Sequence, residues 1–141
     1  MFGKIEEVKD RKSVGEVNRI MRAYVKTAMN PAGARAEELC AELFRGYGLR
    51  ILERNWQCRH GEIDLIAEER GTLVFAEVRM RSTSHFGGAA ESVTAAKRSR
   101  LLAAARLYLT RRPEAACRFD VLLVTAGDAA RIEWIRDAFG E

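Results

Sequence analysis

Two neighbouring apolar runs, Gly61-Glu62-Ile63-Asp64-Leu65-Ile66-Ala67 and Leu73-Val74-Phe75-Ala76-Glu77-Val78-Arg79, each hold an acidic residue within an otherwise strand-like pattern. The connection Glu68-Glu69-Arg70-Gly71 is short and contains glycine, which predicts an antiparallel hairpin. Alternation along the first strand puts Ile63, Leu65 and Ala67 on one face and Glu62, Asp64 and Ile66 on the other. The second strand, 72–80, puts Phe75, Glu77 and Arg79 on one face and Val74, Ala76 and Val78 on the other. Carboxylates are depleted in strand interiors and are almost never fully buried unless paired. Asp64 and Glu77 therefore call for a partner.

Three partners satisfy that demand. Convergent carboxylates bind hard divalent ions such as Mg²⁺ or Mn²⁺, and such ions serve phosphodiester hydrolysis. The Val78 carbonyl, next to Glu77, can add an oxygen ligand, and Arg79 projects to the same face as Glu77, where it can stabilise developing charge. A structural ion pair with Arg79 and a second cation would also neutralise the carboxylates. A solvent-facing hairpin side is the third reading, against which the neighbouring Ile66, Leu73 and Phe75 argue.

The flanking segments supply a scaffold. Ser13 and Glu16 form a capping-box pattern ahead of apolar residues at helical spacing from Val17 to Ala28, and Asn30-Pro31 ends that helix. Residues 1–30 thus read as a charged N-terminal extension with a helix, and 31–141 as a single domain. A second helix, 34–47, has Ala36, Leu39, Cys40, Leu43 and Phe44 on its apolar face, with Gly46 and Gly48 marking its end. Glu37 lies at the edge of that face, where spacing alone makes it a solvated glutamate. A short strand follows at 50–56. After a Gly-rich loop, 81–90, a basic helix at 91–111 has Val93, Ala96, Leu101, Leu102, Ala105, Tyr108 and Leu109 available for burial. The run 119–124 is almost continuously apolar, which suits a strand covered on both faces. The long helix between strands permits a crossover that makes this strand parallel to a neighbour. A last strand at 131–135 leads into a helical or frayed tail. The expected fold is α/β, a mixed central sheet of four to five strands flanked by helices, with core order α-β-β-β-α-β.

Composition narrows the setting. The chain has 141 residues, 48% hydrophobic and 31% charged, with a net charge of +4. This is an ordinary globular balance, mildly basic and compatible with nucleic acid. Cys40, Cys58 and Cys117 are dispersed and make no CxxC pair, which points away from zinc and disulfides and toward reduced core residues. No apolar h-region and no run of about 18 apolar residues is present, so the expectation is a cytoplasmic protein without a membrane partner. His60 and His85 fall in loop segments, and Trp56 and Trp134 read as core or edge residues rather than base-stacking platforms.

The ordered motifs Gly33-Ala34-Arg35-Ala36-Glu37, Gly48-Leu49-Arg50-Ile51-Leu52-Glu53-Arg54-Asn55, Gly61–Ala67 and Leu73–Arg81, extended by Phe86-Gly87-Gly88, Val93, Lys97, Tyr108-Leu109 and Arg118-Phe119-Asp120-Val121, resemble the YraN family over roughly residues 33–135. That resemblance implies a restriction-endonuclease-like fold of the PD-(D/E)xK type, similar to archaeal-type Holliday-junction resolvases. It implies metal ligation by Asp64 and Glu77, with Glu37 drawn to the same ion. The family pattern has lysine where this chain has Arg79. Arginine keeps its charge but is a very poor general base; Lys97, on the following helix, is the cation that can compensate. Arg79, Arg81, Lys97, Arg98 and Arg100 are the expected contacts to nucleic-acid phosphates. The expected function is a nuclease dependent on Mg²⁺ or Mn²⁺ acting on structured or damaged DNA, with Asp64, Glu77, Arg79 and Lys97 as the catalytic group. The alternative is a non-catalytic nucleic-acid-binding or protein-interaction module that keeps the fold, and the N-terminal helix offers a homodimer surface.

Overall fold

The computed structural model describes residues 4–6, 32–81, 93–125 and 131–140, with side chains from Arg35 onward except that of Arg81. The elements in order are β1 (Lys4–Glu6), α1 (Ala32–Gly46), β2 (Arg50–Cys58), β3 (Gly61–Glu69), β4 (Thr72–Arg81), α2 (Ala95–Leu109), β5 (Cys117–Thr125) and β6 (Arg131–Phe139). The expected N-terminal helix and the loop holding His85 lie outside the described residues. Five long strands form a mixed sheet in the order β6-β5-β4-β3-β2, and the three residues of β1 pair parallel with the outer side of β6. The hairpin β3–β4 is antiparallel, and β4 and β5 are parallel neighbours, as a helical crossover allows. The chain is thus an α/β fold with core order α-β-β-β-α-β and a further strand at the end.

Local chemistry explains the elements. Arg70 and Gly71 close the hairpin with φ of 51° and 87°, two consecutive left-handed residues whose twist matches that of the strands they join. Helix α1 ends as its glycines lead one to expect: Gly48, at φ 90°, reverses the chain, and Leu49 N–H returns to the Phe44 carbonyl at 2.9 Å. Helix α2 starts later than its periodicity suggests. Thr94 caps it, its hydroxyl accepting from Lys97 N–H at 3.1 Å. Ala96, expected to be buried, is exposed in the first turn, and Ala104 takes a core position instead.

Each helix covers one face of the sheet. The expected face of α1 packs against Leu65, Ala67, Val74, Ala76, Leu122, Val124 and Trp134. Helix α2 packs its Leu101, Ala104, Ala105 and Tyr108 against Ile63, Ile66, Leu73, Phe75, Phe119, Val121 and Leu123. Burying each such Leu or Phe contributes roughly 1.5–3 kcal/mol. Strand β5, covered on both sides, is buried from Phe119 to Val124. The tail after Ile135 is neither helical nor frayed: β6 continues to Phe139, with Asp137 at φ 53°.

That turn in β6 completes a polar knot at one end of the sheet. Asp120 is 1% exposed, yet its oxygens accept from Arg118 Nε at 3.0 Å, Trp134 Nε1 at 2.9 Å and Asp137 N–H at 2.9 Å. Glu69 then holds Arg118 at 2.8 Å and Arg136 at 3.1 Å. The Arg136 guanidinium lies 4.2 Å from the Trp134 ring centre, and Phe44 and Tyr47 of the α1 end pack on the same indole. Replacing Asp120 by Ala leaves the buried Trp134 indole N–H and the Asp137 N–H without their acceptor, and leaves Arg118 with Glu69 alone. We expect Asp120→Ala to lower the unfolding free energy by about 3–5 kcal/mol in a urea titration, while Arg45→Ala, which breaks an exposed pair with Glu42, changes it by less than about 1 kcal/mol.

Candidate metal-binding site

On the other side of β4 from that knot, the regular alternation of β2 and β3 fails at one level. Arg54 pairs with Leu65, and both sides of that pair belong to the α1 face: Leu65 is in the α1 core, and Arg54 Nη2 bonds Glu38 of α1 at 2.6 Å. Trp56 pairs with Ile63, and both belong to the α2 face. Residues two apart in a regular strand share a face. The single residues between these pairs, Asn55 and Asp64, therefore mark a reversal in both strands at once. Asn55 has φ 52°, the left-handed conformation that breaks the pleat. The expectation that Ile63 and Leu65 share a face is corrected accordingly.

This reversal makes Asp64 accessible from both layers. Glu37 reaches it from α1, and Glu77 reaches it from the α2 face of β4. Asp64 Oδ2 also accepts the Val78 N–H at 2.8 Å, which fixes the carboxylate against β4. Glu77, only 3% exposed, meets Lys97 Nζ at 3.1 Å and, more loosely, Arg79 Nη1 at 3.9 Å. The expected residues Glu37, Asp64, Glu77, Val78, Arg79 and Lys97 are thus brought together.

The predicted phosphate contacts are placed unevenly. The Arg98 side chain turns back to the Val93 carbonyl at 3.2 Å and lies over the Phe139 ring. Arg100 passes over Gly61, at the start of β3. Arg81 continues β4 beside Thr125, its side chain lying outside the described residues. Trp56 packs edge-on to Tyr108, with the Arg111 guanidinium near both rings, and Trp134 is buried, so both indoles act as packing residues.

The electrostatics follow from three carboxyls in a half-dry place. Burial, then the charge of Asp64, raises the Glu37 pKa from 4.5 to about 7. Burial, then the same charge, raises Glu77 from 4.5 to about 7 against the pull of Lys97 and Arg79. Burial also raises Asp64, opposed by the Val78 N–H and by hydrogen bonds from the two glutamates. Glu37 and Glu77 thus hold protons more tightly than free glutamates do, because three adjacent negative charges repel one another. The donor set is all oxygen and anionic, which fits a hard divalent cation in place of those protons. Among the described residues, no three His, Cys, Asp or Glu side chains form a ready-made metal cage.

Asn55 is the residue that sequence reasoning missed here. Its side chain lies near enough to the Glu37 carboxylate to favour the charged form. An asparagine within a strand candidate was the available signal, since asparagine is depleted in strands and enriched in left-handed positions.

A pH dependence follows. Glu37 and Glu77 bind protons more tightly folded than unfolded, so without divalent cations the folded chain loses stability as pH rises from about 4.5 to about 7 and is level above that. Urea midpoints measured between pH 5 and pH 8 in EDTA should fall over that window, and Glu77→Gln should flatten the fall.

Among the described residues, no helix is long and apolar enough to cross a membrane. Comparison with known sequences places the chain. A family model described as "Uncharacterised protein family UPF0102" matches residues 36–124, which include Glu37, Asp64, Glu77, Arg79 and Lys97. A UPF0102 protein of Nitrosomonas europaea is 51% identical over 110 residues, covering 77% of this chain and 93% of the relative. UPF0102 proteins of Methylobacillus flagellatus and Dechloromonas aromatica are each 49% identical, covering 79% and 84% of this chain and 98% and 97% of their own lengths. The chain belongs to the UPF0102 family, also called the YraN family.

Proposed function

We propose that the protein is a divalent-metal-dependent nuclease of restriction-endonuclease-like, PD-(D/E)xK type fold that hydrolyses phosphodiester bonds in structured or damaged DNA. The observation that carries this reading is Asp64, bonded on one side to Glu37 and on the other to Glu77, with Lys97 3.1 Å from Glu77. The element order and the position of the carboxylates on α1, β3 and β4 support the fold assignment.

Glu37, Asp64, Glu77 and the Val78 carbonyl would hold Mg²⁺ or Mn²⁺. Such an ion, when bound, supplies a water ionised near neutral pH and charge compensation at phosphorus. The chain's own residues do the rest. The Val78 N–H keeps Asp64 oriented. Lys97 brings an ammonium to Glu77 from α2, the position at which this chain compensates for Arg79. Arg79 would neutralise phosphate, although a guanidinium is a poor base. Arg100, passing over Gly61, extends the positive surface along which a phosphodiester backbone can lie.

One observation favours a second reading. Arg79 and Lys97 together neutralise Glu77 without a metal ion. A non-catalytic DNA-binding module with the same fold would bind DNA in EDTA, with an affinity that falls steeply as salt is raised.

Cleavage of branched, flapped and single-stranded DNA with Mg²⁺ or Mn²⁺ separates the two. Changes to the partners of metal ligands alone cost 10–100-fold, so Asp64→Ala and Glu77→Ala should each lower the rate by more than about 100-fold. Unchanged cleavage in both variants overturns the catalytic assignment. Arg79→Lys should raise the rate, because it restores a compact ammonium beside Glu77.

A further inference from the structure

Several cations of α2 and of the turn that follows it are already held within the chain. Lys97 meets Glu77 at 3.1 Å, and Arg98 donates to the Val93 carbonyl at 3.2 Å. Beyond the helix end, Arg111 meets Glu53 at 3.5 Å and Arg112 meets Glu68 at 2.7 Å. Arg100 differs. It is exposed, and among the described residues no carboxylate, carbonyl or ring holds its guanidinium. Residues three apart on a helix are neighbours, so Arg100 stands beside Lys97, and its side chain passes over Gly61. Gly61 pairs with Cys58, so Arg59 and His60 alone turn β2 into β3. Arg59 is exposed and also lacks a partner among the described residues. Glu62, the acidic neighbour, alternates away from Ile63 to the α1 layer, where its charge bears on Glu37.

We propose that Arg59 and Arg100 form a phosphate-binding subsite beside Lys97, so that a bound DNA strand crosses the β2–β3 turn rather than following the second half of α2. A guanidinium offers a planar fork of donors that matches two phosphate oxygens, and one without an internal partner gives up no ion pair when it takes a phosphate. Arg111 and Arg112 would have to release Glu53 and Glu68 first. The proposal rests on the reading of DNA as the partner and needs neither a metal ion nor cleavage. Arg70 provides the comparison: it is exposed and equally without a partner among the described residues, but it lies in the hairpin at the other end of β3.

The test uses the full chain and a fluorescent flapped DNA in EDTA, with affinity measured by anisotropy across a salt series. Each phosphate contact contributes about 0.7–0.9 to the slope of log affinity against log salt. Arg59→Gln and Arg100→Gln should each lower the slope by about that amount and weaken binding roughly five- to tenfold at low salt. Arg59→Lys, which keeps the charge, should keep the slope, and so should Arg70→Gln. All three positions are exposed, so urea midpoints should stay at the native value. A native slope in either Arg59→Gln or Arg100→Gln, or an equal loss in Arg70→Gln, overturns the subsite while leaving DNA as the partner. A native chain that binds no DNA overturns the subsite together with the DNA reading, whereas DNA binding without cleavage removes only the nuclease.

Discussion

The mutual repulsion of three carboxyls, and the means by which the chain tolerates it, governs the carboxylate end of this molecule. Asp64, Glu37 and Glu77 are carried by three different elements in two layers. They meet because one level of the sheet gives up its pleat. A regular β3 would commit Asp64 to a single face and leave one glutamate without it. The reversal opposite Asn55 lets the aspartate serve both. Protons, Lys97 and the Val78 N–H then hold together a cluster that would otherwise push itself apart.

The polar knot on β5 and β6 solves a similar problem in the opposite way. Asp120 is more deeply buried than Asp64, but every contact it makes is with a donor: a guanidinium, an indole and a backbone N–H. The contrast separates a carboxylate that fixes β5, β6 and the end of α1 from carboxylates that remain chemically available. Helix α1 touches both clusters, with Phe44 and Tyr47 on the Trp134 indole and Glu37 beside Asp64.

Much of this was legible in the sequence. The apolar face of α1, the hairpin, the doubly covered β5 and the parallel β4–β5 pairing follow from periodicity, turn residues and a long crossover. So does the shared face of Phe75, Glu77 and Arg79. What escaped depends on single backbone angles or on distant partners. Period-two alternation has no term for a left-handed residue, so Ile63 was assigned to the wrong face. In β6, the polar Arg136 and Asp137 hid a strand whose bend delivers an N–H to Asp120. Ala96 was misplaced because a run of good helix formers does not reveal that Thr94 starts the helix. Glu37 was recognisable only through family resemblance; on spacing alone it was a surface residue.

Strand β2 ends the sheet on its side, and an end strand offers its unpaired backbone groups to any other extended chain. Alternating, flat edges are the ones that template such additions. Here the left-handed Asn55 interrupts the edge midway, and Arg50, Glu53 and Arg54 load it with charge. A second strand laid along β2 would lose register at that point and would have to desolvate those ions. The irregularity that exposes Asp64 to both layers therefore also makes β2 a poor template for a further strand, so one residue shapes both the carboxylate cluster and the sheet edge.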